Sequence, residues 1–126
     1  MNLARAIASG DAADLPSRRD EDWRWTDIAG LIRTVPPASP EGAATGEGPF
    51  AALADETVVI VNGRGPGGLT VEGERTIALR FVSASEGTSH AGAIQIAVAA
   101  GAQLTLLESY EGQAAGYLAN ATISLD

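Results

Sequence analysis

The chain has no cysteine and no lysine; its eight basic residues are all arginines. Without cysteine there is no disulfide framework, no thiolate metal site and no redox chemistry on sulfur, and the cytoplasm becomes the expected compartment. Without lysine there is no Gly-Lys-Ser/Thr phosphate loop, so ATP hydrolysis is not expected. There is one histidine, His90, whereas a metal centre needs three or four ligands. Basic residues are outnumbered by sixteen acidic ones, for a formal net charge of -8, which repels a phosphate backbone and argues against a nucleic-acid partner. Long apolar runs are also missing. Ala91 to Ala102 is interrupted by Gln95 and falls short of the roughly 20 residues a bilayer requires. Met1 to Leu15 lacks the sustained apolar stretch of a secretory signal. What remains is ordinary globular material: 126 residues, 45% hydrophobic and 19% charged, enough for one domain or one domain with an appendage.

The hydrophobic period divides the chain into three parts. Residues 1–35 read as a helical segment. Leu3 to Ala8 is Ala-rich and stops at Gly10, and Thr26 offers an N-cap for a second short helix over Asp27 to Arg33, with Ile28, Leu31 and Ile32 on one face. Residues 36–54 read as a linker, because Pro36, Pro37, Pro40, Gly42, Gly46, Gly48 and Pro49 sustain neither helix nor ladder. From residue 55 the period becomes two. Thr57–Val61 is β-branched and ends at Asn62-Gly63, a turn signal. Leu69–Val71, Thr76–Val82, Ala93–Val98, Gln103–Leu107 and Leu118–Leu125 supply five more strands, so the fold class is mainly β. An antiparallel sandwich and a stack of short parallel coils both fit this pattern. The small-residue corner Ala99-Ala100-Gly101-Ala102 suits stacked coils, whose backbones approach closely.

Each candidate for chemistry has a plainer reading. Asn62-Gly63-Arg64-Gly65-Pro66-Gly67-Gly68 is glycine-rich but is followed by a strand pattern and not by a helix, so it reads as a turn. His90, with Glu86 the nearest carboxylate along the chain, reads as a surface or core-edge histidine. Glu108 and Glu111 bracket Tyr110 and invite comparison with an acid/base pair, but their spacing points them in different directions. Asn120-Ala121-Thr122 matches a glycosylation acceptor by chance in a chain without a secretory signal. Trp23 and Trp25, among Arg18, Arg19 and Arg24, mimic a base-stacking platform, but Asp20, Glu21, Asp22 and Asp27 neutralise it. Both indoles read as anchors that dock the N-terminal segment. No catalytic, cofactor-binding or metal-ligating residue is assigned.

Two stretches nevertheless carry a resemblance. Glu21-Asp22-Trp23-Arg24-Trp25-Thr26-Asp27-Ile28, followed by Val59-Ile60-Val61-Asn62-Gly63-Arg64, resembles the N-terminal signature of SufD, a scaffold subunit of the Suf iron-sulfur cluster assembly complex. His90-Ala91, Ile94, Ile96, Gly101-Ala102, Leu104 to Leu107, Glu108-Ser109-Tyr110-Glu111-Gly112, Tyr117 and Asn120-Ala121 are similar to the opening of that family's right-handed parallel β-helix. The resemblance implies a non-enzymatic scaffold. Such a scaffold pairs with a SufB-like subunit through the β-helices and binds a SufC-type ATPase through a C-terminal helical region. It also implies that this chain carries no cofactor of its own, while the parent complex handles iron-sulfur clusters and its ATPase uses ATP. The expectation is of residues 55–126 as the start of a β-helix truncated at its C-terminal end, with self-association through the open strands around Ile123 and Leu125. A β-solenoid carbohydrate-acting enzyme and a small β-sandwich binding module are the alternatives.

Overall fold

A computed structural model of the chain describes residues 2–15 and 34–126. The expected helix over Asp27 to Arg33, the two tryptophans and the Glu21–Ile28 motif lie outside the described residues. The first helix, α1, runs Leu3–Ser9. Asn2 caps it by accepting the Arg5 N–H at 2.7 Å, and Gly10, at φ +72°, ends it by donating its own N–H to Ala6 at 2.8 Å. Seven residues are too few to hold a helix alone. Packing supplies the rest: buried Ala6 meets Leu15 and Val35 in a small apolar cluster, and α1 lies beside a strand of the β-body.

That body has six strands: β1 (Glu56–Val61), β2 (Gly68–Val71), β3 (Glu74–Ser83), β4 (Ser89–Val98), β5 (Gln103–Gly112) and β6 (Leu118–Leu125). They form two three-stranded sheets, ordered β1-β3-β5 and β2-β4-β6, and every pairing is parallel. The chain therefore crosses from one sheet to the other at each connection, and each strand pairs with the one two before it. The sheets do not close into a barrel. Like residues stack in register: Ile60 beside Phe81 beside Tyr110 in one sheet, Ile94 beside Ile123 in the other. Parallel pairing with an intervening crossover settles the choice left open by strand pattern against antiparallel hairpins.

The main core lies between the sheets. Val58, Ile60, Ile77, Leu79 and Phe81 project from one side and Val71, Ile94 and Ile96 from the other, each burial contributing about 1.5–3 kcal/mol. β4 shows the period-two logic plainly, with Gly92, Ile94 and Ile96 buried and Ala91, Ala93, Gln95 and Ala97 exposed. β3 departs from it. Ile77 through Ser83 are all buried, because its outer face is covered as well.

The cover is the Pro/Gly-rich stretch expected to be a linker. Its extended backbone has few neighbours of its own to bond, so side chains of the β-body serve its carbonyls. Arg80 donates to Thr45 and Gly46 at 3.1 and 3.0 Å, and Asn62 donates to Pro40 at 3.1 Å. Ser89 and the stretch exchange backbone bonds, Ser39 N–H to Ser89 and Ser89 N–H to Pro37, both at 2.8 Å. Gly48 passes so close to Arg80 that an added Cβ would sit 2.5 Å from Nε. Among the described residues no helix is long and apolar enough to cross a membrane.

Candidate functional site at the histidine end of the sheets

Ser83 is the last residue of β3 and His90 the second of β4, and the tight connection between them, with Gly87 at φ +67°, brings the two side chains together. His90 is on the inward face of β4, two residues before Gly92 and four before Ile94. Its Nε2 lies 3.1 Å from Ser83 Oγ and its Nδ1 lies 3.0 Å from Ser39 Oγ on the covering segment. Ser39 also contacts Thr88 Oγ1 at 2.7 Å and donates to the Ser89 carbonyl at 3.0 Å, while Thr88 donates to the Ser85 carbonyl at 3.1 Å.

The two imidazole nitrogens thus bridge Ser39 on the covering segment and Ser83 at the end of β3, and the tautomer sets which serine donates to the ring and which accepts from it. Burial, and secondarily the Arg64 charge, holds the imidazole pKa below its ordinary 6.5. The ring is neutral at pH 7.

Beyond Ser83 and His90 opens a cavity of about 250 Å³ between the ends of the two sheets. Phe81 and Tyr110 form one wall, with centroids 5.3 Å apart and planes within 6°. His90 and Tyr117 form another, 6.5 Å apart and 23° off parallel. Gly92 is the floor: an added Cβ would stand 3.2 Å from Ile60 Cγ2 and 3.7 Å from the Phe81 ring, so a larger residue would take up space that is now open. Tyr110 is 63% exposed and Tyr117 39% exposed at the rim.

The other sequence candidates do not converge here. Glu111 lies within β5, not in the turn after it, because parallel pairing of Val82 with Glu111 and Ser83 with Gly112 carries the strand on. Glu108 accepts from the Tyr110 hydroxyl at 3.1 Å on the inward face, whereas Glu111 faces outward onto Arg80. The glycine-rich stretch joins β1 to β2 with no helix after it. Asn62 pins it by accepting the Ala84 N–H at 2.8 Å, and Gly63, at φ +79°, lies against the Ala91 carbonyl, 2.7 Å from where a Cβ would be. Asn120 lies inside β6, paired with Ala91, and not on a loop. Among the described residues no group of three or more His, Cys, Asp or Glu is placed to hold a metal. Ser39, Ser83 and Thr88 went unnoticed in the sequence, where nothing in their spacing marks them, and Tyr117 was marked only by the resemblance. The chain matches no protein-family model, and no curated protein and no solved structure matches it.

Proposed function

We propose that this chain is a non-catalytic scaffold, the N-terminal part of a SufD-like subunit of an iron-sulfur cluster assembly complex, and that its two sheets are opening turns of a right-handed parallel β-helix. One observation carries the reading: six strands alternate between two all-parallel sheets, each in register with the strand two before it. Stacked coils of this kind present long, regular surfaces to partners and need no chemistry of their own. Of the motifs that carry the resemblance, those among the described residues lie on strands and turns that such a scaffold would use. Val59–Val61 is the core of β1, Asn62-Gly63 the pinned turn after it, and Ile94, Ile96, Leu104 and Leu106 the inward residues of the stack. The chain contributes no cluster ligand. Clusters are the cargo of the assembly, and a SufB-like subunit and a SufC-type ATPase are its partners, in the cytoplasm. Against a solenoid carbohydrate-acting enzyme stands the placement of Glu108 and Glu111 on opposite faces of β5, where they cannot flank one glycosidic bond.

The test is affinity purification, under anaerobic conditions, of the protein tagged at its own locus. Co-purification of a transporter-type ATPase and a second β-helix subunit supports the scaffold. A preparation free of both, or one that cleaves polysaccharide, overturns it.

A further inference from the structure

We propose that Asn62 is a modification site: its side chain is held unreactive while the covering segment, residues 36–54, is seated, and it deamidates spontaneously by ring closure on Gly63 when that segment comes away. The proposal stands independently of the scaffold reading.

The chemistry is local. The Gly63 amide nitrogen attacks Asn62 Cγ, a C–N bond forms, and Nδ2 leaves as ammonia. Water then opens the five-membered imide to aspartate or isoaspartate. A glycine at the attacking position has no Cβ to obstruct the closure and the freest backbone of any residue. Asn62 alone among the asparagines of the chain is followed by one.

Three restraints block this reaction in the folded chain. The turn is fixed, because Val61 and Arg64 exchange backbone bonds of 2.8 and 2.9 Å across it, with Asn62 at φ +50° and Gly63 at φ +79°. The carboxamide is tied at both ends: Oδ1 accepts the Ala84 N–H at 2.8 Å and Nδ2 donates to the Pro40 carbonyl at 3.1 Å. Drawing Cγ onto the Gly63 nitrogen breaks both bonds. The site is also covered. Asn62 is 3% exposed, and Gly42 passes so near that an added Cβ would stand 2.7 Å from Nδ2. The Pro40 bond and the Gly42 contact both belong to the covering segment, so its release admits water and leaves the carboxamide a single partner.

The product does not let the segment return. Aspartate places an acceptor where the Pro40 carbonyl needs a donor. Isoaspartate lengthens the main chain of a turn whose Gly63 already lies against the Ala91 carbonyl. A transient opening is thereby made permanent.

The test incubates the whole chain at mildly alkaline pH and follows residue 62 by peptide mass spectrometry and an isoaspartate-specific methyltransferase assay. Where opening and closing are fast, the rate follows the open population, so the folded parent should convert at least about tenfold more slowly than the parent in urea. Gly42→Ala, which pushes a methyl group against the carboxamide, should speed conversion at least about fivefold. Gln113→Ala, which removes two bonds to Thr45 of 2.9 and 3.0 Å, should act in the same direction. Gly67→Ala, whose Cβ meets nothing within 4 Å, should leave the rate unchanged. In the fast variants hydrogen exchange at the Ala84 N–H should quicken while that of Leu79, in the core, stays slow. Asn62→Asp, which copies the product, should be cut after Glu41 or Glu47 by a glutamate-specific protease sooner than the parent. Conversion of the folded parent as fast as in urea overturns the proposal, as does a failure of both covering-segment variants to convert faster. So does acceleration matched by exchange at Leu79, which means that the whole body opens, or an Asn62→Asp chain cut no sooner than the parent.

Discussion

Arg80 and Glu111, on adjacent strands β3 and β5, meet in a two-point ion pair, with Nε to Oε2 and Nη2 to Oε1 both at 2.8 Å. Arg80 is 3% exposed and its two remaining bonds go to the Thr45 and Gly46 carbonyls, so one side chain joins two strands to the segment that covers them. Ser109 adds a third bond to the carboxylate at 2.8 Å.

Removing the guanidinium leaves the Gly46 carbonyl without its donor and a partly buried carboxylate held by Ser109 alone, while Thr45 keeps the Gln113 amide at 3.0 Å. Arg80→Met should therefore cost about 3 kcal/mol, the lower end of what breaking a buried pair costs. Glu111→Gln, which keeps shape and part of the bonding, should cost about 1–2 kcal/mol. Urea titration gives both values. Limited proteolysis should cut the Arg80 variant between residues 44 and 50 before the rest of the chain. Equal stability of parent and Arg80→Met would show that the segment is held by something else.

The pair and the histidine together set the acid side of the stability curve. The Glu111 pKa is held below its ordinary 4.5, chiefly by the hydrogen bond from Arg80, and the His90 pKa is held below 6.5, chiefly by burial. Between its folded and unfolded pKa each group takes up a proton only in the unfolded chain, so acid favours unfolding. The urea midpoint should be level at neutral pH, fall first below pH 6.5 as His90 protonates in the unfolded state, and fall again below 4.5 on account of Glu111. His90→Gln should abolish the first decline alone. A midpoint unchanged from pH 8 to pH 5 in the parent would refute the histidine's part.

Two glycines with similar backbone angles should respond differently to a methyl group. Gly10 and Gly63 both have positive φ, +72° and +79°, but a Cβ on Gly10 meets nothing within 4 Å, while one on Gly63 meets the Ala91 carbonyl. Gly10→Ala should cost only the left-handed conformation, about 1–2 kcal/mol. Gly63→Ala should cost more, because the turn must also move off β4. Thermal melts of the two variants side by side decide it.

Ile96, fully buried between the sheets, should cost about 2–5 kcal/mol when cut to alanine. Leu53, 70% exposed on the cover, should stay within about 0.5 kcal/mol. A reversed order in urea denaturation would mean that the core lies elsewhere.

How much of this was legible in the sequence differs by element. Val58–Val61 and Ile94–Val98 announce themselves because β-branched residues at period two have one good use. The strands run further than the pattern does, to Ser83 and Gly112, because pairing continues through Ser109 and Glu111, whose polar groups are satisfied by each other and by Arg80. The direction of pairing was not legible: a strand's own alternation carries no trace of which neighbour it meets. Nor was the packing of residues 36–54. Their contacts are made largely by backbone carbonyls, which every residue has, so no side-chain signature records them. The cavity was hidden for a related reason. Ser39 and His90 are 51 positions apart, and serines are too common for such a pair to stand out.

The alternation of strands between two parallel sheets also governs how the chain must reach its shape. Ile77 waits for Leu106 and Ser89 for Leu118, each a wait of 29 residues, and no strand has a hairpin partner beside it. Folding therefore begins with an entropically costly long-loop closure and then becomes easier, since a finished pair of strands is a template for the pair that follows. A chain of this design folds in about milliseconds to seconds and not microseconds, from whichever neighbouring pair of coils closes first.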